Sequence, residues 1–236
     1  MIQYFIGMKR PKICAVITNN DFELAAGAAR FTDLYEVRID VIGDGWQEWV
    51  KRLRKPWIAS NRLKEEGGVW SGDEPSRIGK LFEAIELGAR IVEIGLRTPD
   101  LQRLIAQIRR EKVESLIADH DLTATPDLID LKAIVREQTA AGAGICKVVT
   151  TAQRFEDNFT VLSLFREFPE TRLVAFASGE LGVTSRVLSV LSGGYFTYAS
   201  ITDNDRQDQG VLSAAYMRSF FEEVRKYQIA AGKLKP

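Results

Sequence analysis

The sequence predicts a single (β/α)8 barrel on three grounds: eight strand-sized apolar runs, helical spacing between them, and a length that suits one such domain. The runs are ICAVIT from Ile13, YEVRIDV from Tyr35, WIASN from Trp57, RIVEIGL from Arg90, SLIADH from Ser115, GICKVVT from Gly144, RLVAFA from Arg172 and FTYASI from Phe196. Each is β-branched or apolar over a span typical of a buried strand. Helical spacing fills Glu74 to Leu87, Pro99 to Arg110, Asp127 to Ala141, Phe155 to Phe168, and a last stretch from Val211 to Ala230. Asp44, Pro75, Thr98 with Pro99, and Thr125 with Pro126 mark expected helix starts, because such residues accept or dispense with the first unpaired N–H groups. Strict alternation with short connections requires parallel pairing and right-handed crossovers, and eight units close a barrel. The alternative, an open doubly wound sheet, lacks its marks. No G-x-G-x-x-G follows the first run, and no linker or low-complexity tract divides residues 1–236.

With 236 residues, 45% of them hydrophobic, the chain can bury one core. Its 32 basic residues balance its 32 acidic ones. That balance argues against the basic surface needed to neutralise nucleic-acid phosphates or anionic lipid, and favours a small-molecule partner. Cys14 and Cys146 lie in apolar runs far apart, which suits buried free thiols in a reducing cytoplasm rather than a disulfide framework or a metal motif. The opening MIQYFIGMKR has its positive charge after a very short apolar stretch, the wrong order for a secretory signal, and no run reaches membrane-spanning length. A soluble, unexported protein is expected.

In a barrel, chemistry gathers where strands end and βα loops begin. Glu36, Arg38 and Asp40 alternate in the second run with Tyr35, Val37, Ile39 and Val41, so they are expected on one face, turned into the barrel. Two readings stand at this point: an internal ion pair that holds the barrel shut, or a charged row facing a ligand. Lys147 sits mid-strand in GICKVVT, opposite Cys146. Burial and nearby cations such as Arg38 or Arg62 would favour its neutral, nucleophilic amine, although a salt bridge is the commoner use of such a lysine. His120, the only histidine, ends the preceding strand, and parallel pairing brings it near Lys147. The third run exits through Arg62 and Glu66 into Gly67-Gly68, which allow a tight loop over the barrel mouth. The seventh exits into SGELGVTSR, where Arg186 in a first helical turn could grip a carboxylate bidentately.

YEVRIDV, the R-x-x-x-E-G-G of Arg62 to Gly68, the H-D-L-x-x-T-P from His120, the lysine of ICKVVTTA and the G-E-L-G-V-T-S-R ending at Arg186 occur in this order. Together they make the chain resemble the type I 3-dehydroquinate dehydratases over nearly its whole length. The resemblance implies a homodimeric shikimate-pathway enzyme that converts 3-dehydroquinate to 3-dehydroshikimate and water without metal or added cofactor. Under it, Lys147 matches the Schiff-base lysine, His120 the general acid/base and Glu66 the acid that orients the histidine. Glu36, Arg38 and Arg62 match positions around the substrate ketone and ring hydroxyls, and Arg186 matches the carboxylate clamp.

Two departures accompany the likeness. Ser178 stands where the family commonly has a methionine over the ring. The lid, which tends to read S-x-P-G-Q, is here TDNDRQDQGVLS, with Val211 in the glutamine's place and Gln207 or Gln209 as the expected substitutes. A class I aldolase would share the covalent chemistry, but the acidic TDNDRQD exit disfavours the phosphorylated substrates such barrels often bind. A barrel that binds without catalysis is disfavoured by retention of Lys147, His120 and Glu66.

Overall fold

The computed structural model describes residues 10–19, 21–202 and 210–232. Eight strands, β1 (Ile13–Ile17), β2 (Leu34–Arg38), β3 (Trp57–Ser60), β4 (Ile91–Gly95), β5 (Glu114–His120), β6 (Ile145–Thr151), β7 (Leu173–Ser178) and β8 (Thr197–Ser200), form one sheet in the order β7-β6-β5-β4-β3-β2-β1-β8. Every neighbouring pair is parallel. Across the remaining seam the Tyr195 N–H donates to the Leu173 carbonyl at 2.8 Å, and the Phe176 and Tyr198 rings meet edge to face. The barrel is thus nearly closed, as the alternation predicts.

The helices are α1 (Phe22–Ala28), α2 (Ile39–Ile42), α3 (Trp46–Val50), α4 (Glu74–Glu86), α5 (Leu101–Arg110), α6 (Leu128–Ala140), α7 (Asp157–Glu167), α8 (Val183–Leu188) and α9 (Ala214–Ala230). Side-chain alternation sorts each strand into an outer face that meets these helices and an inner face that fills the barrel. Tyr35, Val37, Val92, Ile94 and Ile117 belong to the outer layer, and Cys146 packs outward in a neighbouring cluster. Cys14, Leu34, Ile58, Ile91, Leu116, Ile145, Val174 and Phe196 fill the inside. A one-residue slip in β6 would exchange the places of Cys146 and Lys147, so burial on both faces fixes the register. Among the described residues no helix is long and apolar enough to cross a membrane.

Several boundaries differ from the sequence expectation. The second strand stops at Arg38, and Ile39–Ile42 turns into α2, closed by Gly43 at φ 70°. Asp40 therefore leaves the strand face, yet its buried carboxylate accepts from Arg38 Nε and Nη2 at 2.9 and 2.7 Å, which bends the charged row back on itself. Asp44 is not a cap; Gly45, at φ 90°, holds that place before α3. Thr98 and Pro99 precede the start of α5 because the Thr98 hydroxyl accepts from Arg77, leaving Asp100 at the cap. Thr125 likewise spends its hydroxyl on the Thr151 carbonyl, and Asp127 caps α6 by accepting from the Ile129 and Asp130 N–H groups. Pro75 sits in the first turn of α4 as expected, behind the Asp73 cap.

Candidate active site

A cavity of about 360 Å³ opens at the C-terminal ends of the strands. It is lined by Glu36 and Arg38 of β2, Arg62, Glu66 and Gly67 after β3, His120 of β5, Lys147 of β6, Ser178 of β7, Arg186 of α8, Tyr198 of β8 and Val211. Strand ends in a barrel converge here, so residues distant in the chain share one volume.

Lys147 lies at the bottom of this cavity, 1% exposed. Its Nζ donates to Glu93 Oε2 at 2.6 Å and to Glu36 Oε2 at 3.4 Å. Arg62 joins the same two carboxylates, each at 2.5 Å, and the Ser60 hydroxyl donates to Glu93 at 3.2 Å. The Tyr198 ring covers the ammonium from β8, its centroid 4.3 Å away. Two cations and two anions therefore neutralise one another; a lone buried charge would cost several kcal/mol. Burial, then Arg62, push the Lys147 amine below its ordinary value of 10.5, while Glu36 and Glu93 pull the other way. Glu93 resists burial because Arg62, Lys147 and His120 hold its carboxyl well below the usual range. The ion pair alone would raise the amine; burial, together with Arg62, which shares both carboxylates and repels Lys147, outweighs it.

His120 lies two residues beyond Ala118, the β5 partner of Lys147 in the register, and so shares its inward face. Burial, then Arg62 and Lys147, hold the imidazole well below its usual 6.5, so it is neutral at physiological pH. Both ring nitrogens are covered and have no hydrogen-bond partner among the described residues. Glu66 ends the 3-10 turn Lys64–Glu66, where its Oε2 accepts from the Leu63 N–H at 3.1 Å. Burial raises its carboxyl above the usual value. Its other oxygen rests on Gly95 of β4, where a β-carbon would come within 1.6 Å of it. Gly67 at φ 75° turns the chain, and Gly68 lies so close to the Arg62 carbonyl that a β-carbon would be 2.1 Å away. Glycine at both positions lets this loop carry Arg62 and Glu66 to the same cavity.

A model described as type I 3-dehydroquinase matches residues 13–228. The chain belongs to that family. A 3-dehydroquinate dehydratase of Dehalococcoides mccartyi is 38% identical over 221 residues, covering 92% of this chain and 97% of the relative. One from Methanococcoides burtonii is 31% identical over 206 residues, 83% and 87% of the two chains. The solved structure of the 3-dehydroquinate dehydratase from Geobacillus kaustophilus superposes with a TM-score of 0.81 at 24% identity, covering 94% of each chain, a likeness of fold.

With the family in hand, the remaining positions can be placed. Arg38 is buried, tied to Asp40, and its Nη2 also donates to the Gly67 carbonyl at 3.3 Å, which anchors the loop after β3. Arg186, fourth residue of α8, is buried with its guanidinium 4.2 Å over the Phe176 ring. Ser178 spends its hydroxyl on the Thr150 carbonyl at 2.8 Å. Gln207 and Gln209 lie outside the described residues. Sequence reasoning missed Glu93 and Tyr198. Glu93 gave the same signal as Lys147, a charge between apolar neighbours in RIVEIGL. Tyr198 gave none, since an aromatic residue in a strand is ordinary core.

Proposed function

We propose that this type I 3-dehydroquinase dehydrates 3-dehydroquinate to 3-dehydroshikimate through a Schiff base on Lys147. The observation that supports this best is the buried Lys147 amine, its basicity lowered by burial and Arg62, one strand from a neutral His120 in a single cavity. The relatives' names supply the substrate.

In this mechanism the free amine of Lys147 adds to the ring ketone, and loss of water gives an iminium. The iminium draws electrons from the adjacent carbon, so neutral His120 can take a proton there. The electron pair then forms the ring double bond as the neighbouring hydroxyl leaves, receiving a proton from His120. Hydrolysis of the iminium releases product and restores Lys147. Arg186 binds the substrate carboxylate, while Glu36, Arg38 and Arg62 contact the oxygens near the ketone. Glu66, which lines the same cavity, takes the part of the family's acid that orients His120. Gln207 or Gln209 substitutes for the family's lid glutamine as a substrate contact. We further infer a shikimate-pathway role as a cytoplasmic homodimer, in keeping with the family likeness and the balanced charge.

The deciding experiment is borohydride reduction in the presence of 3-dehydroquinate, followed by peptide mass spectrometry. A stable adduct on the Lys147 peptide, absent in Lys147→Ala, is expected. His120→Ala should still trap the adduct slowly while losing nearly all turnover. No adduct, or no rise in enone absorbance with 3-dehydroquinate, overturns the reading.

A further inference from the structure

We propose that Glu93 is a positioning residue that accepts the hydrogen bond from the Lys147 nitrogen throughout the reaction, leaving Glu36 to face the substrate. The inference rests on the Schiff-base reading above. Three observations carry it. Glu93 makes the shorter contact with Nζ, 2.6 Å against 3.4 Å for Glu36. Glu36 lines the cavity and Glu93 does not, so Glu93 reaches the lysine from beneath, away from where substrate enters. Arg62 and Ser60 hold the Glu93 carboxylate from its other side, and it is 3% exposed.

The chemistry of the nitrogen makes this assignment consequential. An ammonium has three N–H donors and can satisfy both carboxylates, whereas a protonated ketimine keeps one. When Lys147 forms its carbon–nitrogen double bond, two of its N–H protons leave and the Glu36 contact is released. The remaining N–H points to the nearer acceptor. That bond sets the rotation of the planar iminium about its nitrogen, and hence which face of the adjacent carbon meets His120. It also keeps the nitrogen protonated, and a neutral imine is a far weaker electron sink. The titratable and charged groups that face Lys147 are Cys14 on β1, Glu36 and Arg38 on β2, Arg62 after β3, Glu93 on β4, His120 on β5 and Tyr198 on β8; β7 presents the uncharged Val174, Phe176 and Ser178, and Arg186 lies beyond Phe176. Removing Glu93 therefore leaves Arg62 and Lys147 with one shared carboxylate.

The test compares wild type with Glu93→Gln and Glu93→Asp. Because a neighbouring anion raises the lysine, Glu93→Gln should move the pH midpoint of borohydride trapping down by about one unit or more. Turnover near pH 8 should fall at least about tenfold further than trapping does. Glu93→Asp should return the midpoint toward wild type, which a merely structural role would not do. An unchanged midpoint in a folded Glu93→Gln variant overturns the proposal. Should the variants fail to fold, the structure of the reduced wild-type adduct decides: the secondary amine within hydrogen-bond reach of Glu93 supports the assignment, and contact with Glu36 alone overturns it. Failure of wild type to trap any adduct would instead bring down the Schiff-base reading beneath it.

Discussion

Replacing Gly95 with alanine tests whether the Glu66 carboxylate works where the structure puts it. Gly95 is not among the glycines at positive φ, so its backbone accepts alanine. The new methyl would lie 1.6 Å from Glu66 Oε1, 2.7 Å from its Cδ and 3.5 Å from Oε2, with no other heavy atom nearer. To reach even a 3.0 Å separation the oxygen must retreat by about 1.4 Å. Only the end of a flexible side chain has to move, so the fold should lose little, within about 1 kcal/mol, or about 2–4 °C in melting temperature for a chain of this size. Catalysis should lose much more. Misplacing a catalytic group by about 1 Å can cost about 100-fold. We therefore expect Gly95→Ala to turn over 3-dehydroquinate about 100-fold more slowly, measured by enone absorbance, with KM changing less. Glu66→Gln should be similarly slow, and the double variant no slower than Glu66→Gln, because both changes act on one carboxylate. A Gly95→Ala enzyme with wild-type turnover would refute the role assigned to Glu66, and full additivity would refute the route through Gly95.

His120 is the only histidine and its folded-state value is depressed, so the unfolded chain takes up its proton first as pH falls. Its share of stability is full above about pH 6.5 and declines below: between pH 7 and 5.5 denaturant unfolding should show a loss of up to about 1.3 kcal/mol that His120→Asn lacks, and equal slopes would refute it. Tyr198 Oη is buried without a partner among the described residues, so Tyr198→Phe should stabilise the protein by about 1 kcal/mol while preserving the ring against Lys147; a lower melting temperature would show that the hydroxyl is satisfied. Arg186→Lys keeps the charge but not the planar fork, and kcat/KM should fall about 10- to 100-fold, mostly through KM, with unchanged KM ruling out the carboxylate clamp.

Strand number, strand order and the inward face of Lys147 and His120 were legible because β periodicity and two-sided burial leave little freedom once a charge interrupts an apolar run. The end of the second strand was less so. Ile39 and Val41 fit a continued strand as well as a helical turn, and the choice is made by Gly43 and by the Arg38 fork closing on Asp40. Helix starts shifted wherever a threonine hydroxyl found a tertiary partner, as at Thr98 and Thr125. The partner of Lys147 was hidden for another reason. Glu93 is 54 residues away, and its contact depends on the register of β4, β5 and β6 together, which no local pattern states.

The charge balance at the bottom of the cavity bears on both halves of the proposed reaction. Lys147, Arg62, Glu36 and Glu93 hold two charges of each sign. A protonated iminium keeps the positive charge of the ammonium it replaces, so the preorganised carboxylates serve both states with no rearrangement of charge. Protonating His120 is different: taking the carbon-bound proton turns the iminium into a neutral enamine, so the positive charge moves from the Lys147 nitrogen, paired with two carboxylates, to a buried imidazole that Arg62 repels. The imidazolium formed by proton abstraction is thus an unfavourable state of this site, relieved when the proton passes to the departing hydroxyl. The burial and the Arg62 charge that make His120 a weaker base in the first half make it a stronger acid in the second.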